Sequence, residues 1–434
     1  MEEVSGATGS DAQNAEEGLS AATLAAQYRA VRRTTAALCE PLSEEDCAVQ
    51  SMPDASPAKW HLAHTSWFFE TFILNREGEG YQPFHPAYQF LFNSYYNTVG
   101  PQHARPKRGL LSRPSFKEVL AYRAHVDRHL LALLSEGGNL SRAALAIIRL
   151  GLHHEQQHQE LILTDIKHLF SCNSLRPAYR DCPVAPSADP KPVAWHHYPE
   201  GLRGTGHGGG GFAFDNESPR HRVFLEAFEL ASRPVTNGEF LAFIEDEGYA
   251  RPDLWLSDGW NTVQKEGWRA PLYWEKRDDQ WRVLTLGGER ALRLDEPVCH
   301  ASLYEADAYA RWAGARLPGE AEWECAATDV PVEGNFADDQ HLHPAPAPGG
   351  GERPVGLFGG VWEWTRSAYA PYPGYAPPDG ALGEYNGKFM CNQVVLRGGS
   401  CVTPRSHIRP TYRNFFFPSD RWQFSGFRLA RDAR

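Results

Sequence analysis

The feature that most constrains the fold is a change of pattern partway along the chain. From Leu19 to Phe170 apolar residues recur at helical spacing, whereas beyond Pro177–Lys191 the sequence turns to short apolar runs crowded with Gly and Trp. One core cannot be built from both patterns. A length of 434 residues also exceeds the size at which single cores usually stop growing, so two domains are expected. The boundaries predicted are an acidic disordered tail at 1–19, a helical bundle at 20–174, a Pro/Ala/Ser/Asp linker at 175–194 and a loop-rich α+β domain at 195–434.

Cap residues divide the bundle into four helices. Ser20 opens the first, which runs to about Leu38. Ser56-Pro57, a cap followed by proline at the first helical position, opens the second, to about Leu74. The Ser115-Phe-Lys-Glu118 capping box opens the third, which stops before Gly137-Gly138, and Asn139 or Ser141 opens the fourth, to about Phe170. An up-down bundle with inward-facing side chains follows. The loop from about Asn75 to Pro114 carries Tyr95-Tyr96 and Arg105-Pro-Lys-Arg108; so long a loop is functional or disordered, and its aromatics argue against disorder. In the second domain only two helical stretches are expected, near Asn237–Glu247 and Tyr304–Trp312.

A net charge of -11 argues against a nucleic-acid or anionic-membrane surface, and no apolar run reaches the 18 or so residues of a membrane span. The N-terminus lacks the basic start and apolar stretch of a secretion signal. A soluble, cytoplasmic protein with small-molecule partners is expected, a homo-oligomer being left open. The eight cysteines form no C-x-x-C pair and read as mostly buried thiols in a reducing compartment.

The densest polar cluster is His153-His154-Glu155-Gln156-Gln157-His158-Gln159-Glu160. Ile147, Gly151, His154, His158 and Leu161 share one helical face, so both histidines belong to the core stripe. Two imidazoles one turn apart on a buried face suit a metal, a hydrogen-bonded core pair being the bland alternative. In the second helix Trp60, His64, Trp67 and Thr71 share a face, which turns His64 inward as a third ligand and leaves His61 near the edge. Three neutral histidines leave three adjacent sites of an octahedral divalent ion open and its charge uncompensated. Glu70 and Glu160 are expected as acceptors for imidazole N–H groups, or as solvated charges. His154-Glu155-x-x-His158 also spells a zinc-peptidase motif, but positions 161 to 168 lack the glycine turn to a further ligand. Gly204-Thr-Gly206-His-Gly-Gly209 fits a dinucleotide pattern with no convincing strand before it and no suitable helix after it, and reads as a glycine-rich linker.

Longer motifs carry a family resemblance. SPAKWHLAHTSWFFE, GLHHEQQHQELIL, PRHRVFLEAFELASRPVTNGEF, RLPGEAEWECAA, GGVWEWTRS, LRGGSCVTPRS and SGFRLARD, spread in this order over about residues 20–434, resemble the ergothioneine-biosynthetic sulfoxide synthases. The resemblance implies a DinB-like four-helix bundle followed by a formylglycine-generating (sulfatase-modifying) domain, a variant of the C-type lectin fold. It also implies nonhaem iron(II), Fe(2+), held by His64, His154 and His158. The implied reaction is O2-dependent carbon–sulfur bond formation between a thiol and the imidazole of Nα-trimethylhistidine (hercynine), with the sulfur leaving as a sulfoxide. Formylglycine-generating enzymes use a cysteine pair after the R-G-G-S motif; Ile408 and Arg413 stand at those positions, so that chemistry is expected to be absent.

The same resemblance places the betaine between the bundle and the segment Tyr412–Phe417, with Gln157 and Asn414 on its polar parts and Phe415 at the aromatic position. Core packing is the alternative for Phe415, Phe416 and Phe417. A tyrosine is expected to deliver protons, Tyr95 and Tyr96 before Tyr372. The positions that recognise the glutamyl end in users of γ-glutamylcysteine hold Phe416 and Asp420, so free cysteine is the expected thiol, with Arg105, Arg108 or Arg421 as the cation for its carboxylate. Two other classes stay open, a zinc-dependent thiol transferase that uses no oxygen and a lectin-like binding protein.

Overall fold

The computed structural model describes residues 20–135, 140–188, 192–347 and 351–433. The acidic tail, the Gly137-Gly138 stop, Asn139 and Lys191 lie outside the described residues. The chain divides into two compact units. The first takes the chain up to Leu169 together with Gly208–Phe214 and Pro378–Tyr385; the second takes Phe170–His207, Asp215–Pro377 and Asn386–Arg434.

The first unit is built on α1 (Ala21–Ala37), α2 (Ala58–Phe69), α3 (Phe116–Ser135) and α4 (Arg142–Ser171). Ser20 Oγ accepts the Thr23 N–H, Ser115 and Glu118 close a reciprocal box, and Ser141 Oγ accepts the Ala144 N–H. The start of α2 departs from expectation. Ser56 gives its N–H to Asp165 Oδ2 (2.7 Å) and its Oγ accepts from Arg108 (2.9 Å), so it caps nothing, Pro57 takes the cap position and Ala58 opens the helix. Every residue of α2 is buried, and the helix runs on through a π-turn, Glu70–Leu74. The helix is covered on every side, its polar Lys59, His61, His64, Thr65 and Ser66 included, so it has no solvent edge. His61, expected at an edge, is therefore buried as deeply as His64.

Close approach of α4 to α2 depends on Gly151. A Cβ there would lie 2.5 Å from Phe69 Cε1 and 2.8 Å from Phe68 Cε1, so the missing side chain lets the helices meet one turn before His154. In the long loop, Asn93 donates to the carbonyls of Tyr96 and Gly100 (3.0 Å each) and accepts the Tyr96 N–H (3.2 Å), which folds the turn carrying Tyr95-Tyr96.

The strands of the second unit, in chain order, are β1 (Trp195–Tyr198), β2 (Gly201–Thr205), β3 (His221–Leu225), β4 (Phe228–Ala231), β5 (Trp274–Arg277), β6 (Gln280–Thr285), β7 (Gly288–Ala291), β8 (Trp362–Ala368), β9 (Val394–Arg397), β10 (Asn414–Phe416), β11 (Ser425–Gly426) and β12 (Ala430–Asp432). They form sheets β1-β4-β12, β10-β9-β8-β11, β2-β3 and β5-β6-β7. In β8 Trp362, Glu363 and Trp364 are all buried, so both faces of the strand are covered. Glu363 accepts two bonds from Arg428 and one from Trp323 Nε1, each 2.7 Å, and full pairing is what makes a buried charge tolerable. The glycines after β9 are a backbone requirement: Gly398 has φ +97°, and a Cβ there would lie 2.2 Å from the Leu357 carbonyl oxygen.

Besides Asn237–Glu245 and Leu303–Trp312, helices form at Ser257–Glu266 and Glu320–Ala327. Ser257–Glu266 was hidden by residues of low helix propensity (Ser, Asp, Gly, Asn, Thr) and is held by tertiary packing of Val263. The expected linker is not a free tether, because the Tyr179 N–H bonds Leu286 O (2.8 Å) and Ser187 Oγ bonds Asp295 (2.8 Å), both within the second unit. Gly204 lies inside β2, and before β3 only a single 3-10 turn, Asp215–Glu217, follows it among the described residues. All eight cysteines are present as thiols; Cys39, Cys47, Cys299 and Cys401 are buried, while Cys172 and Cys391 are exposed. Among the described residues no helix is long and apolar enough to cross a membrane.

Candidate metal centre

His64 from α2 and His154 and His158 from α4 meet in the bundle interior, exposed by 2%, 5% and 8%. One ring nitrogen from each lies within 4.8 Å of the others, and the Nε2 atoms of His64 and His154 are 3.2 Å apart. Two nitrogens bound at right angles to one ion at about 2.1 Å lie about 3.0 Å from each other, so this separation is what a shared ion requires. Burial holds all three rings neutral. It brings His154 down to about 4 and, with the neighbouring histidines adding to it, takes His64 and His158 well below the usual imidazole value. Neutral imidazoles with convergent lone pairs and no thiolate fit a divalent transition metal of borderline softness.

The groups behind these ligands differ from the acidic acceptors expected. His64 Nδ1 donates to the Phe92 carbonyl (2.6 Å), which leaves Nε2 as the atom that could bind a metal. His158 Nδ1 lies 2.8 Å from His61 Nδ1, and His61 Nε2 lies 3.0 Å from Asp165 Oδ2. His154 Nδ1 is buried without a hydrogen-bond partner among the described residues. Glu70 is instead occupied by the hydroxyls of Tyr81 (2.6 Å) and Tyr122 (2.7 Å) and the Phe84 N–H. Glu160 follows His158 by two residues, about 200° round the helix, so it does not back that ring.

Glu155, the acid of the apparent peptidase motif, is fully buried and turned toward Arg32 (3.0 Å) and Arg123. Despite burial, these two guanidiniums hold its carboxyl down to about 2. Its carboxylate is thus a structural ion paired inside the bundle. Removing one partner of such a group leaves buried charge uncompensated, so Glu155→Gln should lower unfolding free energy by about 3–5 kcal/mol in urea titration. Because the folded pKa is depressed, this stabilisation is complete above the ordinary carboxyl value near 4.3 and fades as pH falls toward 2.

Around the cluster, the Trp60 ring stacks on His64 (centroids 4.7 Å, 11° between planes), and the Arg108 guanidinium carbon sits 3.3 Å from the Trp60 ring centre. Among the described residues Arg108 donates to the hydroxyls of Ser56 and Ser94, 2.9 Å each, and it is 3% exposed. Burial pulls this guanidinium down to about 9, so it stays charged at neutral pH. Arg105 donates to the Tyr95 hydroxyl (2.9 Å) and to the Asp54 carbonyl. Gln157 is half-buried on α4. Tyr96 is buried against Trp67 (5.5 Å) and Phe72 (5.1 Å). A residue that sequence reasoning missed, Tyr385, stands edge-on to His154 (6.4 Å) and near Tyr95 (6.3 Å). Its segment is pinned by Glu384, which accepts the N–H groups of Asn97 and Thr98 (2.9 Å each) and the Thr98 hydroxyl.

Residues 27–162 match the DinB superfamily, and residues 199–350 and 354–433 match the sulfatase-modifying factor enzyme 1-like domain. Hercynine oxygenase of Mycobacterium tuberculosis is 33% identical over 439 residues, covering 94% of this chain and 98% of that protein. This chain belongs to the hercynine oxygenase family. The family member from Mycolicibacterium smegmatis is 32% identical, with coverage of 94% and 99%. Ergothioneine biosynthesis protein 1 of Schizosaccharomyces pombe is 29% identical over 51% of this chain and 28% of its own length. The architecture of this hercynine oxygenase family member is a DinB-like helical bundle followed by a C-type-lectin-like sulfatase-modifying domain.

In the second unit of this hercynine oxygenase family member, Asn414, Phe415 and Phe416 form half-buried β10. Asn414 Oδ1 accepts the Phe415 N–H (2.9 Å), and Phe415 stacks on Tyr369 (4.1 Å) while Phe416 meets Trp422 edge-on. Arg421 is not the free cation expected. It pairs with buried Glu305 (3.1 Å) and lies 3.8 Å over the Trp268 ring. Tyr372 is likewise engaged, its hydroxyl bonded by Arg397 (3.1 Å) and donating to Glu320 (3.3 Å).

Proposed function

We propose that this protein is a nonhaem iron(II) sulfoxide synthase that joins the sulfur of cysteine to the imidazole of Nα-trimethylhistidine at the expense of O2. The observation that carries the reading is the buried set of three neutral histidines, joined by no carboxylate or thiolate among the described residues, in a chain of the hercynine oxygenase family. Such a site leaves room and charge for a thiolate, an imidazole and dioxygen together. The balance is one thiol, one imidazole and one O2 to one sulfoxide and one water. One oxygen atom ends on sulfur and the other in water, and the four electrons come from forming the C–S bond and oxidising the sulfur.

Iron held by His64, His154 and His158 would supply dioxygen activation and a Lewis-acidic anchor for thiolate and imidazole. The protein supplies binding and protons. Arg108, a buried cation whose described partners are two hydroxyls, is matched to the single carboxylate of cysteine. Arg105 is already engaged by the Tyr95 hydroxyl and the Asp54 carbonyl, which supports cysteine over a thiol with further charges. Trp60, between Arg108 and His64, keeps water from the gap between cation and metal. Gln157, next to His158 on α4, takes a polar part of the betaine.

Tyr385 joins Tyr95 and Tyr96 as a proton donor. The Tyr95 oxygen accepts from Arg105, so its own proton is aimed elsewhere. Single Tyr→Phe changes at these positions should divert product from sulfoxide to cysteine sulfinate, by roughly 10²-fold at the true donor. An unaltered product ratio in all three would remove the tyrosines from the mechanism. The whole reading is tested by anaerobic iron loading, addition of trimethylhistidine with cysteine or γ-glutamylcysteine, and oxygen uptake with mass spectrometry of products. Turnover of the thiol without oxygen uptake would exclude it.

A further inference from the structure

We infer that His61 and Asp165 are positioning residues that fix the tautomer of His158 and lend its metal-facing nitrogen negative charge. This inference rests on the metal-centre reading above. All three side chains are buried, and they form one chain: Asp165 Oδ2 to His61 Nε2 at 3.0 Å, then His61 Nδ1 to His158 Nδ1 at 2.8 Å.

Proton accounting permits one arrangement that leaves a ligand. A carboxylate only accepts, so His61 Nε2 is the donor to Asp165. A neutral His61 then presents Nδ1 as an acceptor, which makes His158 Nδ1 the donor and leaves the lone pair on His158 Nε2. Reversing the second bond would put a proton on His158 Nε2 and aim it at the other two histidines. Asp165 is itself fixed, because its Oδ2 also accepts the Ser56 N–H (2.7 Å).

The three ligands are thus unequal. His64 is backed by a neutral carbonyl, His154 Nδ1 has no partner among the described residues, and His158 alone is backed, through His61, by a carboxylate. Three neutral imidazoles give an ion no charged ligand, so this chain of hydrogen bonds brings negative charge toward it without coordination. The spacing agrees with the geometry. His61 precedes His64 by three residues, and Asp165 follows His158 by seven, two turns along one face.

The test is iron(II) affinity of the apoprotein under anaerobic conditions, by competition with a chelator, together with the visible spectrum of the cobalt(II)-loaded protein. Outer partners of this kind are typically worth 10–100-fold in metal affinity, so His61→Phe and Asp165→Asn should weaken binding by that factor and shift the cobalt bands. His61→Asn, which can present an acceptor near the place of Nδ1, should recover most of the loss, an outcome that general damage to the bundle would not give. Wild-type affinity and an unchanged cobalt spectrum in both His61→Phe and Asp165→Asn would overturn the inference and leave the metal centre standing. If the unaltered protein binds no iron, or His154→Ala binds it as tightly as the unaltered protein, the metal reading itself is wrong.

Discussion

His154→Ala should purify as a folded protein, bind no iron at micromolar concentrations and lose turnover by more than about 10³-fold, a barrier increase of about 4 kcal/mol. Of the three histidines it is the cleanest to remove. His64 Nδ1 also bonds the Phe92 carbonyl and His158 Nδ1 bonds His61, whereas His154 Nδ1 has no partner among the described residues. Losing the ring costs the 3.2 Å contact with His64 Nε2 but no hydrogen bond on its Nδ1 side, and the apoprotein should denature within a few degrees of the unaltered one. Retention of iron stoichiometry or of full activity in this variant would exclude the cluster as the metal centre. The contrast is Glu155→Gln on the next residue, which should act on stability through Arg32 and Arg123.

Arg108→Met is expected to lower kcat/KM for cysteine by about 30-fold to several thousand-fold, equivalent to the 2–5 kcal/mol lost when one member of a buried charge pair is truncated. Arg32, Arg123, Arg397, Arg413, Arg421 and Arg428 each face a protein carboxylate, but Arg108 bonds two hydroxyls and stacks on Trp60. A buried cation with no carboxylate in contact among the described residues destabilises a fold, so replacing it with an apolar side chain of similar length should leave the urea midpoint at or above that of the unaltered protein. Activity and stability then move in opposite directions. Unchanged kcat/KM together with a lower midpoint would make Arg108 a structural residue.

How much of this could be read beforehand differs from residue to residue. His154 and His158 were legible because a helix places i and i+4 on one face, and the same stripe continues to Asp165. The partners of the ligands were misjudged because periodicity reports which face a residue occupies, not what lies across from it. Glu70 was expected behind an imidazole, yet two tyrosine hydroxyls reach it first. His61 was set near the edge because amphipathic reasoning assumes an exposed side, and α2 has none. Ser56 has the residue type and spacing of a cap, but Asp165 and Arg108 take up its N–H and hydroxyl.

Local patterns thus determined the four-helix unit, its inward histidine pair and the change to a Gly- and Trp-rich second unit, because helix periodicity and caps act over a few residues. Tertiary structure alone decided which polar groups complete the centre. Tyr385 is 290 residues from Tyr95 by subtraction of their numbers, and no spacing rule links them. What joins them is the Glu384 carboxylate on the Asn97 and Thr98 backbone, a contact between loops whose pairing depends on the whole chain having folded.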